Sequence, residues 1–268
     1  MAAAFPHPAS PEAAAPWRLS LVLPAYNEAA VIRQALAEAG AALARQTADY
    51  EILVVDDGST DATAALVEEA ARSDPRVHLL RHPGNRGYGA ALRTGFAAAR
   101  FDRVAFTDAD CQFHLDDLGP LLRLSDRAPV AVGYRVGRQD PWQRRFFSWG
   151  YNRLVRALLG TRVRDCDCAL KVFRRDCLGS LLPETPGFFV NTEMLTRARQ
   201  LGYAVAEAGV RHRPRLGGVS KVSLGDIPRT LRTLLPFWWA CVLFPRPAGA
   251  GPRRAAAQPA PLLALCLL

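Results

Sequence analysis

Lysine is almost missing from this chain. Only Lys171 and Lys221 occur, so arginine supplies 32 of the 34 basic residues. A guanidinium offers a planar fork to carboxylates and phosphates, so the skew suits anion binding as readily as it reflects a GC-rich genome. Acids are also scarce, 25 against 34 cations, which leaves a net charge of +9. Cysteine is present six times but never as CxxC, and Cys166-x-Cys168 has no second pair at zinc spacing. That pattern lacks the spacing of a zinc site and suggests reduced thiols in a cytosolic compartment, with a structural metal as the lesser alternative. Long apolar runs are missing too. The terminal LLALCLL is seven residues, too short to span a bilayer, and residues 1–17 lack the apolar core of a secretory signal.

What is present is ordinary for a globular protein: 268 residues, 50% hydrophobic, 22% charged. Wholesale disorder, collagen and a disulfide-stapled miniprotein are out. Residues 1–17 form an Ala/Pro tail expected to be disordered, and residues 245–268 are again low-complexity. Between them, short apolar runs alternate with helical patterns. Strands are expected at 19–24, 51–55, 77–80, 103–110 and 130–133. Helices are expected from Asn27-Glu28 to about Arg45, over 61–73 with Ser59, Thr60 or Asp61 as cap, up to about Arg100, and near 115–125. This spacing implies βαβ units and a mostly parallel central sheet flanked by helices, an α/β fold. The second half adds a basic amphipathic helix over 142–159, a short strand 169–173, helices near 175–182 and 191–201, a strand pair near 203–213 and a helix over 224–244.

Acids gather where these strands end, which is the edge at which open α/β sheets bind ligands. Asp108-Ala109-Asp110 closes one strand. Two carboxylates at i and i+2 on a turn can converge on a hard divalent cation such as Mg²⁺ or Mn²⁺, which leaves positions open for substrate phosphates. A lone DxD is more often a solvated turn. Here Asp56-Asp57-Gly58-Ser59 ends a second strand and Pro24-Ala25-Tyr26-Asn27-Glu28 a third. A capping role explains Ser59 or Asp61 but leaves two aspartates over, for contacts to ribose or base hydroxyls or for a supporting role beside the metal. Gly87-Tyr88-Gly89 lacks the third glycine of a dinucleotide fingerprint. His78, His82, His114 and His212 show no ligand spacing and read as surface or packed histidines.

At these residues the chain resembles a known family. PAYNEA (24–29), DDGSTD (56–61), NRGYGAALRTG (85–95) and TDADCQF (107–113) are similar, in order and spacing, to family 2 glycosyltransferases of the GT-A fold. VGYR (132–135), RRFFSWGYN (144–152), DCDCALKVFRR (165–175), TEMLTRARQLGY (192–203) and RLGGVSK (215–221) resemble the polyprenyl- and dolichyl-phosphate mannosyl- or glucosyltransferases within it. The resemblance covers roughly residues 19–225, so a GT-A domain over 18–225 is followed by an amphipathic helix over 226–244. It implies that Pro24, Tyr26, Glu28 and Asp56 line the nucleotide pocket with Asp57 beside the ribose, and that Asp108, Asp110 and Gln112 meet the metal and the donor diphosphate. It implies further that Arg135, Arg144, Arg145 and Ser220 serve the acceptor phosphate, and that Arg215, Ser220 and Lys221 close a mobile loop over the diphosphate. Asp110, Arg135, Arg145, Arg215 and Lys221 then form the catalytic set.

The residues themselves agree with this. From Arg135 to Arg164 there are eight arginines and one acid, Asp140, interleaved with Trp142, Phe146, Phe147, Trp149 and Tyr151. Guanidinium for a phosphate head and aromatics for an interface suit a lipid phosphate. Single-stranded nucleic acid is the rival ligand for such a surface, but an acid cluster at the sheet edge would repel its backbone. LLPFWWACVLF (234–244), with Pro236 as a kink, fits an interfacial helix. The expected function is metal-dependent, inverting transfer of a hexose from a nucleotide sugar, of the GDP-mannose or UDP-glucose type, to a polyprenyl phosphate. It would take place in the cytoplasm, on the cytoplasmic face of the membrane. Transfer to a glycan hydroxyl is the alternative. It would need a carboxylate base, for which Asp165, Asp167 and Glu193 are candidates. A non-catalytic nucleotide-sugar or anionic-lipid binder is a third reading, disfavoured by the intact acid set.

Overall fold

The structure, a computed structural model, describes residues 17–137, 142–185, 187, 189–214 and 226–239. Seven strands form one sheet in the order β3-β2-β1-β4-β6-β5-β7. The first half is a regular alternation: β1 (Arg18–Ala25), α1 (Ile32–Gln46), β2 (Asp49–Asp56), α2 (Thr63–Ser73), β3 (Val77–Arg81), α3 (Tyr88–Ala98), β4 (Arg103–Phe106). β1, β2, β3 and β4 run parallel. Their residues are a near-continuous apolar run because both faces of a parallel sheet are covered, and seven of the eight residues in each of β1 and β2 are buried. Glu51 and the terminal Asp56 are the buried acids of β2. Glu51 is 2% exposed, and it is matched by the Ser20 hydroxyl at 2.5 Å, the Arg100 N–H at 3.0 Å and the Arg100 guanidinium at 2.9 Å.

A 3₁₀ turn (Leu115–Asp117) leads into α4 (Leu118–Ser125), followed by β5 (Val130–Val136), α5 (Trp142–Leu159), β6 (Lys171–Arg174), α6 (Arg175–Leu181), α7 (Val190–Gln200), β7 (Val205–Arg211) and α8 (Asp226–Trp238). β6 lies antiparallel between β4 and β5, and β7 pairs parallel with β5 at the sheet margin. The carboxyl ends of β1 to β5 and the start of β6 therefore share one edge. α3 lies close on the sheet at Gly95, where a Cβ would meet Val22 Cγ1 at 2.3 Å. Phe96, Phe106 and Phe173 pack there with ring centroids 5.8–6.3 Å apart.

The α/β, mostly parallel arrangement matches the expectation, with three local differences. The strand expected over 103–110 stops at Phe106, so both aspartates of the DxD lie in a turn beyond it, where Cys111 takes a positive φ of 59°. The strand pair expected near 203–213 is a single strand, because β5 supplies its partner, and His212 adds one isolated bridge to Phe113. α1 starts at Ile32 rather than at Asn27-Glu28. Asn27 sits at φ 52°, and its N–H goes to Ser59 Oγ (2.9 Å). Of the tail expected over 1–17, residues 1–16 lie outside the described residues, whereas Trp17 packs against the core and its carbonyl accepts the Ala48 N–H at 2.9 Å. Residues 240–244 of the expected C-terminal helix, the tail expected over 245–268 and the loop carrying Arg215, Ser220 and Lys221 also lie outside the described residues.

Candidate active site at the carboxyl edge of the sheet

The edge is stitched together by backbone N–H groups and short polar side chains. The loop after β1 docks on the loop after β2. Besides Asn27 N–H to Ser59, Glu28 N–H donates to Thr63 Oγ1 (2.8 Å), Ala29 N–H to Asp61 Oδ2 (3.1 Å), and Thr60 N–H to Asn27 Oδ1 (2.8 Å). Asp61 alone of the three cap candidates serves α2, taking the Thr63 N–H at 2.9 Å. These bonds hold Pro24, Tyr26 and Glu28 beside Asp56, whose register partner is Ala25. Asp56 is fully buried. Its Oδ1 accepts the Ser59 N–H at 3.0 Å, and its Oδ2 lies 3.4 Å from Arg81 Nε.

Asp57, expected beside the ribose, has its oxygens engaged within the protein. Oδ1 accepts from His82 Nδ1 (2.7 Å) and Arg86 N–H (2.9 Å), and Oδ2 from Gly87 N–H (2.8 Å). It anchors the loop between β3 and α3. His82, unassigned from sequence, is buried within this arrangement.

Past β4, Asp110 is 3% exposed and its Oδ1 accepts the Gln112 N–H at 3.1 Å. Half-buried Asp108 accepts the Tyr88 hydroxyl at 2.9 Å. Burial, then the charges of Asp108, Asp110 and Asp167, push the Tyr88 hydroxyl well above its ordinary pKa. Tyr88 therefore stays a donor and fixes the rotamer of Asp108. The charge of Asp167, in the loop before β6, also reaches this hydroxyl. Among the described residues no three His, Cys, Asp or Glu side chains form a ready metal cage. The donor set is two carboxylates. That fits a hard cation that keeps waters and takes substrate phosphate oxygens as its remaining ligands, and it does not fit zinc.

Opposite stand the arginine and the Asp-Cys-Asp-Cys loop. Arg135, at the end of β5, grips Asp165 with Nε–Oδ2 at 2.6 Å and Nη2–Oδ1 at 2.8 Å. Both side chains are largely buried. Beneath the loop, Lys171 donates to Cys166 O at 3.1 Å, Cys168 O and Asn191 Oδ1 at 2.8 Å, with its ammonium 5.3 Å from the Phe106 ring centre. Burial lowers its pKa, and the neighbouring thiols and acids oppose that shift. Asn152 of α5 accepts the Cys166 N–H at 2.9 Å. Cys111, Cys166, Cys168 and Cys177 are free and buried.

The three base candidates differ. Asp165 is committed to Arg135. Glu193 is 1% exposed and accepts from Glu184 N–H (2.8 Å), Thr185 N–H (3.0 Å) and the Thr185 hydroxyl (2.5 Å), with Arg197 at 2.9 Å. It holds the 184–185 loop, and its oxygens are not available to take a substrate proton. Asp167 is pushed up to about 6, first by burial and then by Asp165, against the pull of Arg135 and Lys171. Between its ordinary value near 3.8 and about 6, the folded protein holds a proton that the unfolded chain has released. Stability therefore falls as pH rises through this window, and the cost is fully present above it. Asp167→Asn is expected to raise the melting temperature more at about pH 8 than at about pH 5. Equal shifts at both values would show that Asp167 ionises without penalty.

Arg145 is exposed on α5, next to Trp142 (73% exposed), Phe146 (59%) and Trp149 (60%). The side chain of Arg144 lies outside what is described. Thus the fold gathers Pro24, Tyr26, Glu28, Asp56, Asp57, Asp108, Asp110, Gln112, Arg135, Asp165 and Asp167 along one edge. Glu193 points elsewhere, and Tyr88, Lys171, His82 and Asn152 join as supports. Of these, the lysine in an apolar strand carried a sequence signal.

Residues 20–182 match the family model described as Glycosyl transferase family 2. Glycosyltransferase AglD of Haloferax volcanii is 34% identical over 240 residues, covering 85% of this chain and 38% of that protein. The undecaprenyl-phosphate 4-deoxy-4-formamido-L-arabinose transferase of Enterobacter sp. (strain 638) is 33% identical, covering 77% and 63%. The polyprenol monophosphomannose synthase of Mycolicibacterium smegmatis is 32% identical, covering 78% and 83%. The chain thus spans less than two thirds of the first two relatives. Glucosyl-3-phosphoglycerate synthase from Mycobacterium tuberculosis, solved with Mn²⁺, UDP and glucosyl-3-phosphoglycerate, aligns over 84% of this chain and 79% of its own at a TM-score of 0.65 and 23% identity. That likeness concerns the fold.

Proposed function

The chain belongs to glycosyl transferase family 2, and from that premise we propose that it moves a hexose from a nucleotide sugar to a polyprenyl phosphate, with inversion. The observation that carries the reading is the pairing of the Asp108/Asp110 face with Arg135 across one sheet edge. One half suits a nucleoside diphosphate and the other an anionic acceptor. The names of the undecaprenyl-phosphate and polyprenol relatives support the acceptor class.

Pro24, Tyr26, Glu28 and Asp56 would seat the nucleoside. Asp108, Asp110 and Gln112 would hold Mg²⁺ or Mn²⁺, the latter present in the related fold, and that ion would supply charge to offset the leaving diphosphate. Arg135 and Arg145 would bind the acceptor phosphate and aim one oxygen at the anomeric carbon. A carbon–oxygen bond forms there as the bond to the diphosphate breaks, with the electron pair leaving on the diphosphate oxygen. A phosphate is already ionised near neutral pH, so no protein base is required. Incubating purified protein with Mg²⁺ or Mn²⁺, a panel of nucleotide sugars and a short polyprenyl phosphate, read by product mass, tests the reading. No glycosyl-phospholipid from any donor would refute it. One observation favours the second reading, transfer to a glycan hydroxyl: a carboxyl near 6, Asp167, suits a general base. In that case transfer rises with pH through about 6 and Asp167→Asn abolishes it.

The lipid end of the substrate has a matching surface. α5 carries no acid in its 18 residues. It exposes Trp142, Phe146, Phe147 and Trp149, while Leu235 of α8 and Trp239 just after it are exposed too. The proposed attachment is peripheral, through these exposed rings, on the cytoplasmic face; among the described residues no helix is long and apolar enough to cross a membrane. Trp142→Ala with Trp149→Ala should lower partitioning onto anionic vesicles by about tenfold or more and leave the circular dichroism spectrum unchanged. Equal partitioning would remove α5 from the contact.

A further inference from the structure

The loop joining β3 to α3 belongs to no part of the proposed mechanism, yet it is among the most tightly held segments of the edge. His82 begins it, 4% exposed. Its backbone N–H donates to Asp56 O at 2.9 Å. A carboxylate only accepts, so the 2.7 Å contact with Asp57 Oδ1 places the hydrogen on His82 Nδ1, and Nε2 meets Thr94 Oγ1 at 2.9 Å on α3. The same Asp57 carboxylate takes the N–H groups of Arg86 (2.9 Å) and Gly87 (2.8 Å). Gly58 takes a φ of +74°, and a Cβ there would lie 2.4 Å from Gly84 C, so the loop is pressed onto the turn after β2. Gly87 then turns, at φ 94°, into the first residue of α3, Tyr88, the residue that holds Asp108.

Two ends of the pocket thus meet at His82, whose ring bonds Asp57 and Thr94 and whose backbone N–H bonds Asp56 O. Asp56 ends β2, and Asp57 follows it in the turn. The start of α3 carries Tyr88 and, one residue before Gly87, the exposed Arg86. We propose that His82 is a positioning residue for the nucleotide-sugar donor: through Asp57 it fixes loop 83–87 as a wall of the donor pocket. The inference rests on the donor reading above. Without the ring, Asp57 loses one of its three donors, the side-chain one, and with it the tie that links its carboxylate to Thr94 on α3. The acceptor side is built on other elements: β5, α5 and the 165–168 loop.

The test is titration of wild type and variants with UDP and GDP in the presence of Mn²⁺ by calorimetry, alongside steady-state kinetics and thermal melts. His82→Leu should weaken nucleotide binding and raise the donor KM by about tenfold or more, the scale of one lost charge-assisted bond, while the polyprenyl-phosphate KM stays unchanged. His82→Asn returns an N–H near the Nδ1 position and should recover most of the affinity. Thr94→Val leaves the Asp57 bond in place and removes only the outer hydroxyl, so it reports on the network if His82→Leu does not fold, with an expected loss of about threefold. Variants that melt lower yet bind nucleotide like wild type would overturn the positioning role. Donor and acceptor KM rising together would overturn it as well. Wild type that binds neither nucleotide would sink the donor reading itself.

Discussion

Asp110→Asn is expected to reduce sugar transfer nearly to background, with the fold and the melting temperature little changed. The substitution is isosteric and keeps an oxygen for the Gln112 N–H that now bonds Oδ1. What it removes is one of the two negative charges on which a hard cation would depend. Asp110 is 3% exposed, so water cannot fill in for the lost charge as it would on a surface. Asp108→Asn removes the other charge but keeps an oxygen for the Tyr88 hydroxyl, and it should cost at least one charge-assisted contact, ~1.5–3 kcal/mol in transition-state stabilisation. Tyr88→Phe isolates the orienting bond, because the charge on Asp108 stays and only its holder goes. Turnover should fall less than with either aspartate variant. Wild type should be inert in EDTA and recover with Mg²⁺ or Mn²⁺. Full activity in EDTA, or a vigorous Asp110→Asn enzyme, would end the metal role.

Much of this edge could be read from sequence because parallel strands leave a strong trace. Apolar runs such as LSLVLP and EILVV must be covered on both faces, and the residues after them must then lie on one edge. That argument alone placed Pro24–Glu28, Asp56-Asp57 and Asp108–Asp110 together. What it could not supply is which side chains face a ligand and which face each other. Asp57 looks like its neighbour Asp56 in sequence, but its partners are 25 to 30 residues away on the β3–α3 loop. Glu193 looked like a free acid on α7, yet its oxygens close onto backbone N–H groups nine and eight positions earlier. Pairings at that range are decided by tertiary packing, which no local pattern encodes.

Lys171 is the instructive case. In a chain that uses arginine for 32 of its 34 cations, a lysine within the apolar run ALKVF stands out. Three oxygens converge on its nitrogen, two from the Asp-Cys-Asp-Cys stretch itself and one from α7. The antiparallel placement of β6 escaped the sequence reading because the strand has four residues, too few for periodicity to report direction.

Arg135→Ala should produce two separable losses. Sequence resemblance assigns this arginine to the acceptor phosphate, whereas the fold gives it a bidentate, largely buried partner in Asp165. Removing one member of such a pair leaves a buried charge uncompensated, a destabilisation of roughly 3–5 kcal/mol. A drop in activity with Arg135→Ala alone would therefore say nothing about substrate. The double change Arg135→Gln with Asp165→Asn separates the effects. Two neutral amides can still hydrogen-bond across the gap, so most of the lost stability should return. The positive charge does not return, and if Arg135 meets the acceptor, the KM for polyprenyl phosphate should remain raised by about tenfold or more while the donor KM stays near wild type. Arg145→Ala gives the complementary control: its side chain is exposed on α5, so acceptor KM should rise with no change in melting temperature. A double variant that regains both stability and acceptor KM would make Arg135 the anchor of the Asp165 loop and nothing more, and the acceptor phosphate would then fall to the arginines of α5.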